Sequence, residues 1–280
     1  MKSAVILGAG QMGKRLAMLL NKNGVKLLAY GDNDPNRYDM QSAIPILSVE
    51  DALAYVPELV YIGVASLARS QSLIAQTRAI GYRGTVIPLC DIAAQFDLRA
   101  AMLQTLVPRL NEVEGDIAEL GVYQGAFAWQ MNLLFPKRQL HLFDTFHGFN
   151  ENDIASELVP LQTKGKVDFT DTSATSVLSR MPHPEQVVLH VGYFPDTARA
   201  LDCRFALVSI DADLYAPTLA ALHYFLSRMN RGGILLLHDY DNPRFPGVAH
   251  AVRDYELKNG RLLLLPLPDL HGTAVIIVQS

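Results

Sequence analysis

Acidic side chains and one histidine follow two apolar segments in the second half of the chain. The segments Phe205–Ile210 and Ile234–Leu237 are continuous apolar runs, which predicts buried parallel strands. The carboxyl ends of parallel strands face the ligand crevice of an open α/β sheet, so the residues that come next should meet there. These residues are Asp211, Asp213, His238, Asp239 and Asp241.

Carboxylate oxygens in such a cluster favour a hard divalent cation such as Mg²⁺, which takes one or two carboxylates together with water and substrate oxygens. A bound cation would make a substrate hydroxyl more acidic and would orient it. Asp211 and Asp239, the first acidic residues after the two strands, are the best candidate ligands. The alternative is that some of these side chains, Asp213 and Asp241 above all, only cap helices or face solvent.

A glycine-containing turn precedes this cluster in the chain. The segment Glu119–Gly125 lies between a predicted strand and a predicted helix, with an acidic residue at the strand end and glycines four residues apart. This layout favours a nucleoside that carries an amino acid, and the carboxylate of Asp144 after the next strand could accept both ribose hydroxyls. Combined with a hairpin at the end of the chain, the pattern predicts S-adenosylmethionine as the cofactor. The residues predicted to bind it are Glu119, Gly121, Tyr123, Gly125, Asp144, Thr145 and Phe146.

A second glycine motif, Gly8-Ala9-Gly10-Gln11-Met12-Gly13, occurs near the first residue. It follows an apolar strand and precedes a helix, so it fits the dinucleotide-binding motif G-x-G-x-x-G. Gly8 would allow the tight turn, Gly10 the approach of a pyrophosphate, and Gly13 the packing of helix on strand. Asp32, at the end of the next strand, could hold ribose hydroxyls. The motif predicts an NAD-like nucleotide, although a turn kept only for packing has the same pattern.

The predicted elements that carry these motifs form two αβ series. The first alternates strands and helices from residue 2 to about residue 94, which predicts a small Rossmann-like parallel sheet. The second contains five strand–helix units, and its last two strands, Arg261–Leu265 and Thr273–Val278, have no helix between them. This pattern matches the seven-stranded sheet of class I methyltransferases. We therefore predict an α/β protein of two domains, residues 1–95 and 96–280.

Composition limits the partners of the chain. The 280 residues carry a formal net charge of −4, and 50% of them are hydrophobic. A nucleic acid or an anionic membrane would need a basic surface, so we expect neither as a partner. We find neither a membrane span of roughly 20 apolar residues nor a secretory signal, which makes the cytoplasm the expected location. A small molecule is the expected partner. Formation of a homo-oligomer is compatible with the sequence.

Several ordered motifs extend from residue 115 to residue 254. They are Gly115–Tyr123, Phe143–Phe146 with Gly148, Gly192–Thr197, Ile210–Tyr215, and Gly232–Ile234 leading to Asp239-Tyr240. Together they resemble the macrocin O-methyltransferase family. The resemblance implies a Mg²⁺-dependent transfer of a methyl group from S-adenosylmethionine to a sugar hydroxyl. It also implies that Glu119, Gly121 and Asp144 hold the cofactor, and that Asp211 is a metal ligand and candidate base.

The chain departs from this family pattern at two positions. It has His238 before Asp239 where the family usually has two consecutive aspartates, and His147 where the family usually has a glutamate. His238 could ligate a metal, and Mn²⁺, Zn²⁺ or Fe²⁺ would then suit the imidazole better than Mg²⁺. It could instead be the base, or a buried structural histidine. The predicted catalytic residues are Asp211 and His238, and the predicted metal ligands are Asp211, His238 and Asp239.

Two other classes of function are compatible with the sequence. The first glycine motif could serve an NAD(P)-binding sugar-nucleotide oxidoreductase, although no Tyr-x-x-x-Lys or other hydride-transfer set follows it. The second alternative is a non-catalytic partner protein that has kept the methyltransferase fold. The polar segment 150–168, with Lys164 and Lys166, could cover the substrate or be a surface insertion.

Overall fold

The computed structural model describes residues 1–95, 97–157, 169–267, 269 and 271–279. Backbone contacts divide the chain into two units, Met1–Asp97 and Leu98–Ser280. This division lies close to the predicted boundary at residue 95, and the independence of the two units as domains stays a prediction. Within the described ranges, no helix is long and apolar enough to cross a membrane.

The first unit alternates short strands and helices around a parallel sheet. The elements are β1 (Lys2–Leu7), α1 (Gln11–Leu19), β2 (Val25–Gly31), β3 (Ile46–Leu47), α2 (Val49–Leu53), β4 (Leu59–Ile62), α3 (Leu67–Ala79), β5 (Thr85–Pro88) and α4 (Leu89–Gln95). The strand order is β3-β2-β1-β4-β5. The central strand β1 is fully buried from Ala4 to Leu7, as its continuous apolar run predicts.

The second unit contains a seven-stranded mixed sheet in the order β11-β12-β10-β9-β6-β7-β8. Strands β6 to β10 are parallel to one another, and β12 is antiparallel to both of its neighbours, as the terminal hairpin predicts. The elements are α5 (Leu98–Leu110), β6 (Asp116–Leu120), α6 (Ala126–Leu134), β7 (Leu140–Asp144), α7 (Glu151–Ala155), α8 (Ala174–Leu178), β8 (Val187–Val191), β9 (Phe205–Ile210), α9 (Tyr215–Leu226), β10 (Met229–Leu237), α10 (Pro246–Asn259), β11 (Leu264–Pro266) and β12 (Ala274–Ile277).

Apolar cores cover both faces of this sheet. Alternate residues of a strand point to opposite faces, so Ile117 packs in one core and Ala118 in the other. Helices α5 and α6 contribute Leu103 and Phe127 to the first core, whereas α9 contributes Phe225 to the second. Because helices occupy both faces, the carboxyl edge of the sheet is left as the place where polar side chains can gather.

Helices α5 and α8 are shorter than the helices that the sequence predicts over residues 97–113 and 172–181. The predicted helix 97–113 is α5, which ends at Leu110 and contains Pro108 in its last turn. A proline there removes only one hydrogen bond near the helix end, so the helix is not divided. The predicted helix 172–181 is the shorter α8, which begins after Ser173, whose side chain accepts the N–H of Ser176.

Candidate functional site

A cavity of about 470 Å³ opens at the carboxyl edge of the sheet in the second unit. The turns after β6, β7, β9 and β10 line it, which is where an open α/β sheet places its ligand crevice. Its volume is in the range of small-molecule sites. The residues singled out in the sequence that line the cavity are Glu119, Gly121, Tyr123, Asp144, Thr145, Asp211, Asp213, His238 and Asp239.

Gly121 holds the turn after β6 against the end of β9. Its φ of +83° is a left-handed conformation, and a Cβ atom built on it would lie 2.0 Å from the carbonyl oxygen of Asp211. Next to it, the backbone N–H of Asp211 donates to the carbonyl of Leu120 at 2.8 Å. The turn therefore needs glycine for two reasons, and it brings the predicted cofactor segment beside a predicted catalytic residue.

The Asp144 carboxylate organises the same turn. Its Oδ2 accepts the backbone N–H groups of Val122 at 2.7 Å and Tyr123 at 2.8 Å, and its Oδ1 accepts that of Phe146 at 2.7 Å. From the sequence, this carboxylate is predicted to accept both ribose hydroxyls. Because three backbone donors already surround it, the structure favours a role in shaping the glycine turn. The ribose contact stays a prediction.

Gly125 and Phe146, both predicted to bind the cofactor, are absent from the described residues that line the cavity. Gly125 immediately precedes α6 with a φ of +78°, and a Cβ atom on it would lie 2.9 Å from Cγ1 of Val177. Phe146 is buried in the apolar core. The structure therefore places both in the packing of the turn on the protein interior, because a glycine or an aromatic residue near a binding turn can serve either purpose.

Tyr123 and Thr145 line the cavity while local hydrogen bonds hold their side chains. The Tyr123 hydroxyl donates to Oδ1 of Asp171 at 2.7 Å, and the Thr145 hydroxyl donates to the carbonyl of Gly148 at 2.9 Å. Their positions in the wall of the cavity are thus set before any ligand binds.

Asp211, His238 and Asp239 form a charged cluster in this cavity. Nδ1 of His238 lies 2.8 Å from Oδ1 of Asp211 and 2.8 Å from Oδ2 of Asp239. Oδ2 of Asp211 accepts a hydrogen bond of 2.9 Å from Nη1 of Arg99. The side-chain amide of Asn242 donates to Oδ1 of Asp239. Each oxygen of the two carboxylates therefore already has a nitrogen partner.

These contacts shift the pKa values of the cluster. Burial acts to lower the pKa of His238, but the Asp211 carboxylate beside it prevails and raises that pKa to about 10. Burial acts to raise the pKa of Asp211, but the nearby His238 and Arg99 charges hold that pKa below its ordinary value. Burial, followed by the charges of Asp239 and Asp211, raises the pKa of Asp213 well above its ordinary value. Near neutral pH, the imidazole is therefore protonated and the Asp211 carboxylate is ionised.

Asp213 belongs to this cluster and does not cap a helix. The residue that caps α9 is Leu214, and Asp213 lies outside the helix with a φ of +61°. Asp239 has a φ of +58°. Residues other than glycine rarely adopt this left-handed backbone conformation, and those that do are concentrated at functional sites. Asp241, the other acidic residue left open as a cap, is absent from the described lining of the cavity.

Arg99 is the residue of this site that sequence reasoning missed. It lies on α5, is 7% exposed, and its guanidinium carbon is 4.6 Å from the ring centre of Phe127. Arg99 and Asp211 are 112 residues apart in the sequence, so no local motif contains both. The available signal was its helical position four residues before the buried Leu103, which places a charge on an apolar face.

The predicted metal ligands lie close together, but their arrangement does not suit a divalent cation. One ligand-type atom from each of Asp211, His238 and Asp239 lies within 4.8 Å of the others. A metal held between the two carboxylates would need a lone pair on Nδ1 of His238, whereas this nitrogen has a carboxylate oxygen at 2.8 Å on two sides and shares its one hydrogen between them. The guanidinium of Arg99 adds a fixed positive charge. Metal binding stays a prediction from the sequence that this geometry disfavours.

Aromatic and polar side chains form much of the remaining lining. Phe149 and Phe245 contribute aromatic rings, and the Tyr193 hydroxyl donates to Oδ1 of the buried Asp153 at 2.8 Å. Such a mixed surface can contact both the apolar and the polar parts of a ligand. Residues 158–168, which include most of the segment predicted to cover the substrate, lie outside the described residues.

The glycine motif of the first unit is tightly packed. A Cβ atom on Gly13 would lie 1.9 Å from the carbonyl oxygen of Gly8, so the start of α1 rests directly on the turn. Oδ2 of Asp32 accepts the backbone N–H of Ala9 at 2.7 Å. The structure thus places Gly8, Gly13 and Asp32 in the packing of this turn.

A shallow depression beside this turn is lined in part by Gly10, Lys14 and Arg37. Nη1 of Arg37 lies 3.3 Å from Oδ2 of Asp32, so the carboxylate predicted to hold a ribose already has a cationic neighbour. The NAD-like nucleotide stays a prediction at this position, since the glycine spacing also has the packing role just described.

The family model described as macrocin O-methyltransferase matches residues 97–277. In Streptomyces olivaceus, a 4'-O-methyltransferase named for a dimethoxy-rhamnosyl tetracenomycin is 26% identical to this chain over 175 residues, covering 58% of this chain and 65% of the relative. In Micromonospora griseorubida, mycinamicin III 3''-O-methyltransferase is 27% identical over 156 residues, covering 51% and 61%. The chain thus spans less than two thirds of the length of these curated relatives.

Two solved structures share the fold. The O-methyltransferase NovP has 20% sequence identity and a TM-score of 0.54, with coverage of 65% of this chain and 80% of that protein. A calicheamicin methyltransferase has 21% identity and a TM-score of 0.54, with coverage of 77% and 88%. The family model lies over the second unit and contains the cavity residues from Arg99 to His271. Because it matches well over half of the chain, this protein belongs to the macrocin O-methyltransferase family.

Proposed function

We propose that the protein transfers the methyl group of S-adenosylmethionine to a hydroxyl group of a sugar on a glycosylated small molecule. The observation that carries this proposal is the cavity in which the Gly121 turn and the Asp211–His238 pair share one space. A methyl transfer to a hydroxyl needs a binding turn for the donor and a group that takes the hydroxyl proton next to it. Membership of the macrocin O-methyltransferase family supports the same reaction.

Glu119, Gly121 and Tyr123 are the residues that would hold the cofactor. Glu119 is 2% exposed at the end of β6 and lines the cavity, where a carboxylate can accept hydrogen bonds from hydroxyl or ammonium groups. The turn at Gly121 presents backbone at close range, and the ring of Tyr123 forms part of the wall. This combination of a carboxylate, close backbone and an aromatic ring fits a nucleoside that carries an amino acid. S-adenosylmethionine, when bound, supplies a methyl group on a positively charged sulfur.

His238 is the residue that we assign to the proton of the acceptor hydroxyl. Asp211 and Asp239 share the one hydrogen of its Nδ1, so Nε2 is the ring nitrogen left for a substrate. A neutral imidazole oriented in this way accepts a proton at Nε2, and the flanking carboxylates stabilise the imidazolium that results. Asp211 then positions the base and stabilises the imidazolium that forms, which differs from the base role that the family resemblance implied for it.

The raised pKa of His238 predicts that the rate of methyl transfer increases with pH. Only the neutral imidazole can accept the hydroxyl proton, and its fraction grows as the pH rises towards about 10. The measurement is the pH dependence of kcat/KM, which reports the groups of the free enzyme. A rate that falls as the pH rises from about 7 to about 9 would contradict the assignment of His238 as the base.

A sugar is the acceptor that the cavity and the relatives favour. The rings of Phe149, Tyr193 and Phe245 offer apolar surface for the C–H groups of a sugar, while Asp153 and Asn242 offer polar partners for its hydroxyls. The two curated relatives are named as O-methyltransferases of a rhamnosyl tetracenomycin and of mycinamicin III.

The acceptor class is tested by transfer from methyl-labelled S-adenosylmethionine to matched pairs of compounds. Each pair consists of a deoxysugar glycoside and the same aglycone without its sugar. We expect label in the glycosides, on the sugar ring, as located by fragmentation in mass spectrometry. Transfer to the free aglycones at a comparable rate would contradict the proposal of a sugar acceptor. Failure of S-adenosylhomocysteine to bind would contradict the proposed methyltransferase activity.

A further inference from the structure

We propose that Arg99 is the built-in cation of this site and that His238 occupies the place between two carboxylates where a metal ion would bind, so that methyl transfer by this chain needs no divalent cation. The inference rests on the proposed function of the same cavity. Arg99 is in this view a positioning residue, because it contacts Asp211 and the substrate is handled by His238.

The guanidinium of Arg99 is held in place from two directions. Its Nη1 donates to Oδ2 of Asp211 at 2.9 Å, and its carbon lies 4.6 Å from the ring centre of Phe127. The arginine side chain is 8% exposed, so little solvent screens its charge. Arginine keeps its charge at every pH that a protein tolerates, so it is a permanent cation at the aspartate.

The imidazole of His238 fills the space between the two aspartates. A cation that bridged Asp211 and Asp239 would have to lie near both of the oxygens that Nδ1 now contacts at 2.8 Å each. It would therefore displace the imidazole or share its position. The remaining oxygen of Asp239 is engaged by the side-chain amide of Asn242. No carboxylate oxygen of this pair faces the cavity without a nitrogen partner among the residues that the structure describes.

Electrostatics act in the same direction as geometry. A divalent cation bound to Asp211 would lie within a few ångströms of the guanidinium, and like charges at such a separation repel strongly where water is excluded. Arg99 already contributes to Asp211 the attraction that a metal would supply. The chain thus has an arginine at one side of Asp211 and a histidine at the other, and both make metal binding less favourable.

The direct test is a titration of the full-length protein with Mn²⁺, followed by the electron paramagnetic resonance signal of free Mn²⁺, in the presence of saturating S-adenosylhomocysteine. We expect no stoichiometric uptake, and we expect the affinity for S-adenosylhomocysteine to be the same with EDTA as with Mn²⁺. Uptake of one Mn²⁺ per chain that the Asp211→Asn substitution removes would overturn the inference. Because cofactor binding is measured in the same sample, a failure of the proposed function is recognised separately.

A gain-of-binding variant tests the cause. R99M/H238D removes the guanidinium and puts a carboxylate in the place of the imidazole, next to Asp211 and Asp239, so this variant is expected to take up one Mn²⁺ per chain. A folded variant that takes up none would overturn the assignment of Arg99 and His238 as the groups that exclude the metal. If R99M/H238D does not fold, the titration of the unaltered protein still decides.

Two single substitutions separate positioning from a merely structural role of Arg99. Arg99→Met should lower kcat about 100-fold, the scale expected when a base is misplaced by about an ångström. Arg99→Lys keeps the charge and should recover part of that loss, with KM for S-adenosylmethionine unchanged in both. Equal losses in the two variants, or a loss confined to KM and thermal stability, would overturn the positioning role.

Discussion

Replacing Gly121 with alanine is expected to weaken the binding of S-adenosylhomocysteine by at least about 100-fold, which corresponds to about 2.7 kcal/mol. The added Cβ would lie 2.0 Å from the carbonyl oxygen of Asp211, and the φ of +83° is unfavourable for any side chain. Either the turn or the end of β9 must move, and both line the cavity. Isothermal titration calorimetry measures the effect, with circular dichroism to show that the variant is folded.

The matched control for this change is Gly260→Ala. Gly260 also has a left-handed φ, of +91°, but a Cβ atom there would meet nothing within 4 Å, and the residue follows α10 outside the cavity lining. The Gly260→Ala substitution should cost about 1–3 kcal/mol of stability and leave the affinity for S-adenosylhomocysteine unchanged. Equal affinities for Gly121→Ala and Gly260→Ala would contradict the role given to the turn.

Replacing His238 with glutamine is expected to lower kcat for methyl transfer by about 10²–10⁴-fold, the usual contribution of a positioned base. Glutamine retains a hydrogen-bonding group for Asp211 and Asp239 but cannot accept the hydroxyl proton at neutral pH. The affinity for S-adenosylhomocysteine should change little, because the residues proposed to hold the cofactor lie in β6 and the turn after it.

His183→Gln is the control for a general effect of removing a histidine. His183 is partly exposed, and its imidazole pairs with Glu185 away from the cavity lining. The His183→Gln substitution should leave kcat for methyl transfer unchanged. Retention of most of the activity by His238→Gln would show that another group takes the proton, and Asp211, the candidate base implied by the family resemblance, would then be the first to consider.

The gathering of Asp211, His238 and Asp239 could be predicted from the sequence because it depends on strand order. Continuous apolar runs identify β9 and β10 as buried parallel strands, and residues that follow neighbouring parallel strands meet at one edge of the sheet. The antiparallel hairpin of β11 and β12 was equally visible, since no helix separates these last apolar segments.

The roles of the acidic residues that follow the second strand of each unit could not be predicted in this way. Asp32 and Asp144 both accept backbone N–H groups of the preceding glycine turn. A carboxylate at this position can reach a ribose or the turn itself, and the spacing in the sequence is the same for both. The same ambiguity applies to Gly125, where a left-handed φ reflects the start of a helix packed on Val177.

The contact of Arg99 with Asp211 was beyond sequence reasoning because it is non-local. It depends on how α5 packs on the sheet, and no local motif encodes a contact between residues that are 112 positions apart. This contact also changes the interpretation of the acidic cluster, since a carboxylate with an arginine partner has less need of a metal. The histidine at position 238, where the family usually has an aspartate, is visible in the sequence. Only the structure shows that its imidazole lies between Asp211 and Asp239.

A crystal structure of the protein with S-adenosylhomocysteine tests the central claim most directly. We predict the ligand in the cavity of the second unit, against the turn at Gly121, with its sulfur directed towards His238 and with the Arg99–Asp211 contact intact. Density for the ligand at the Gly8–Gly13 turn of the first unit, or its absence from the cavity at saturating concentration, would contradict the assignment of this cavity as the methyl-transfer site.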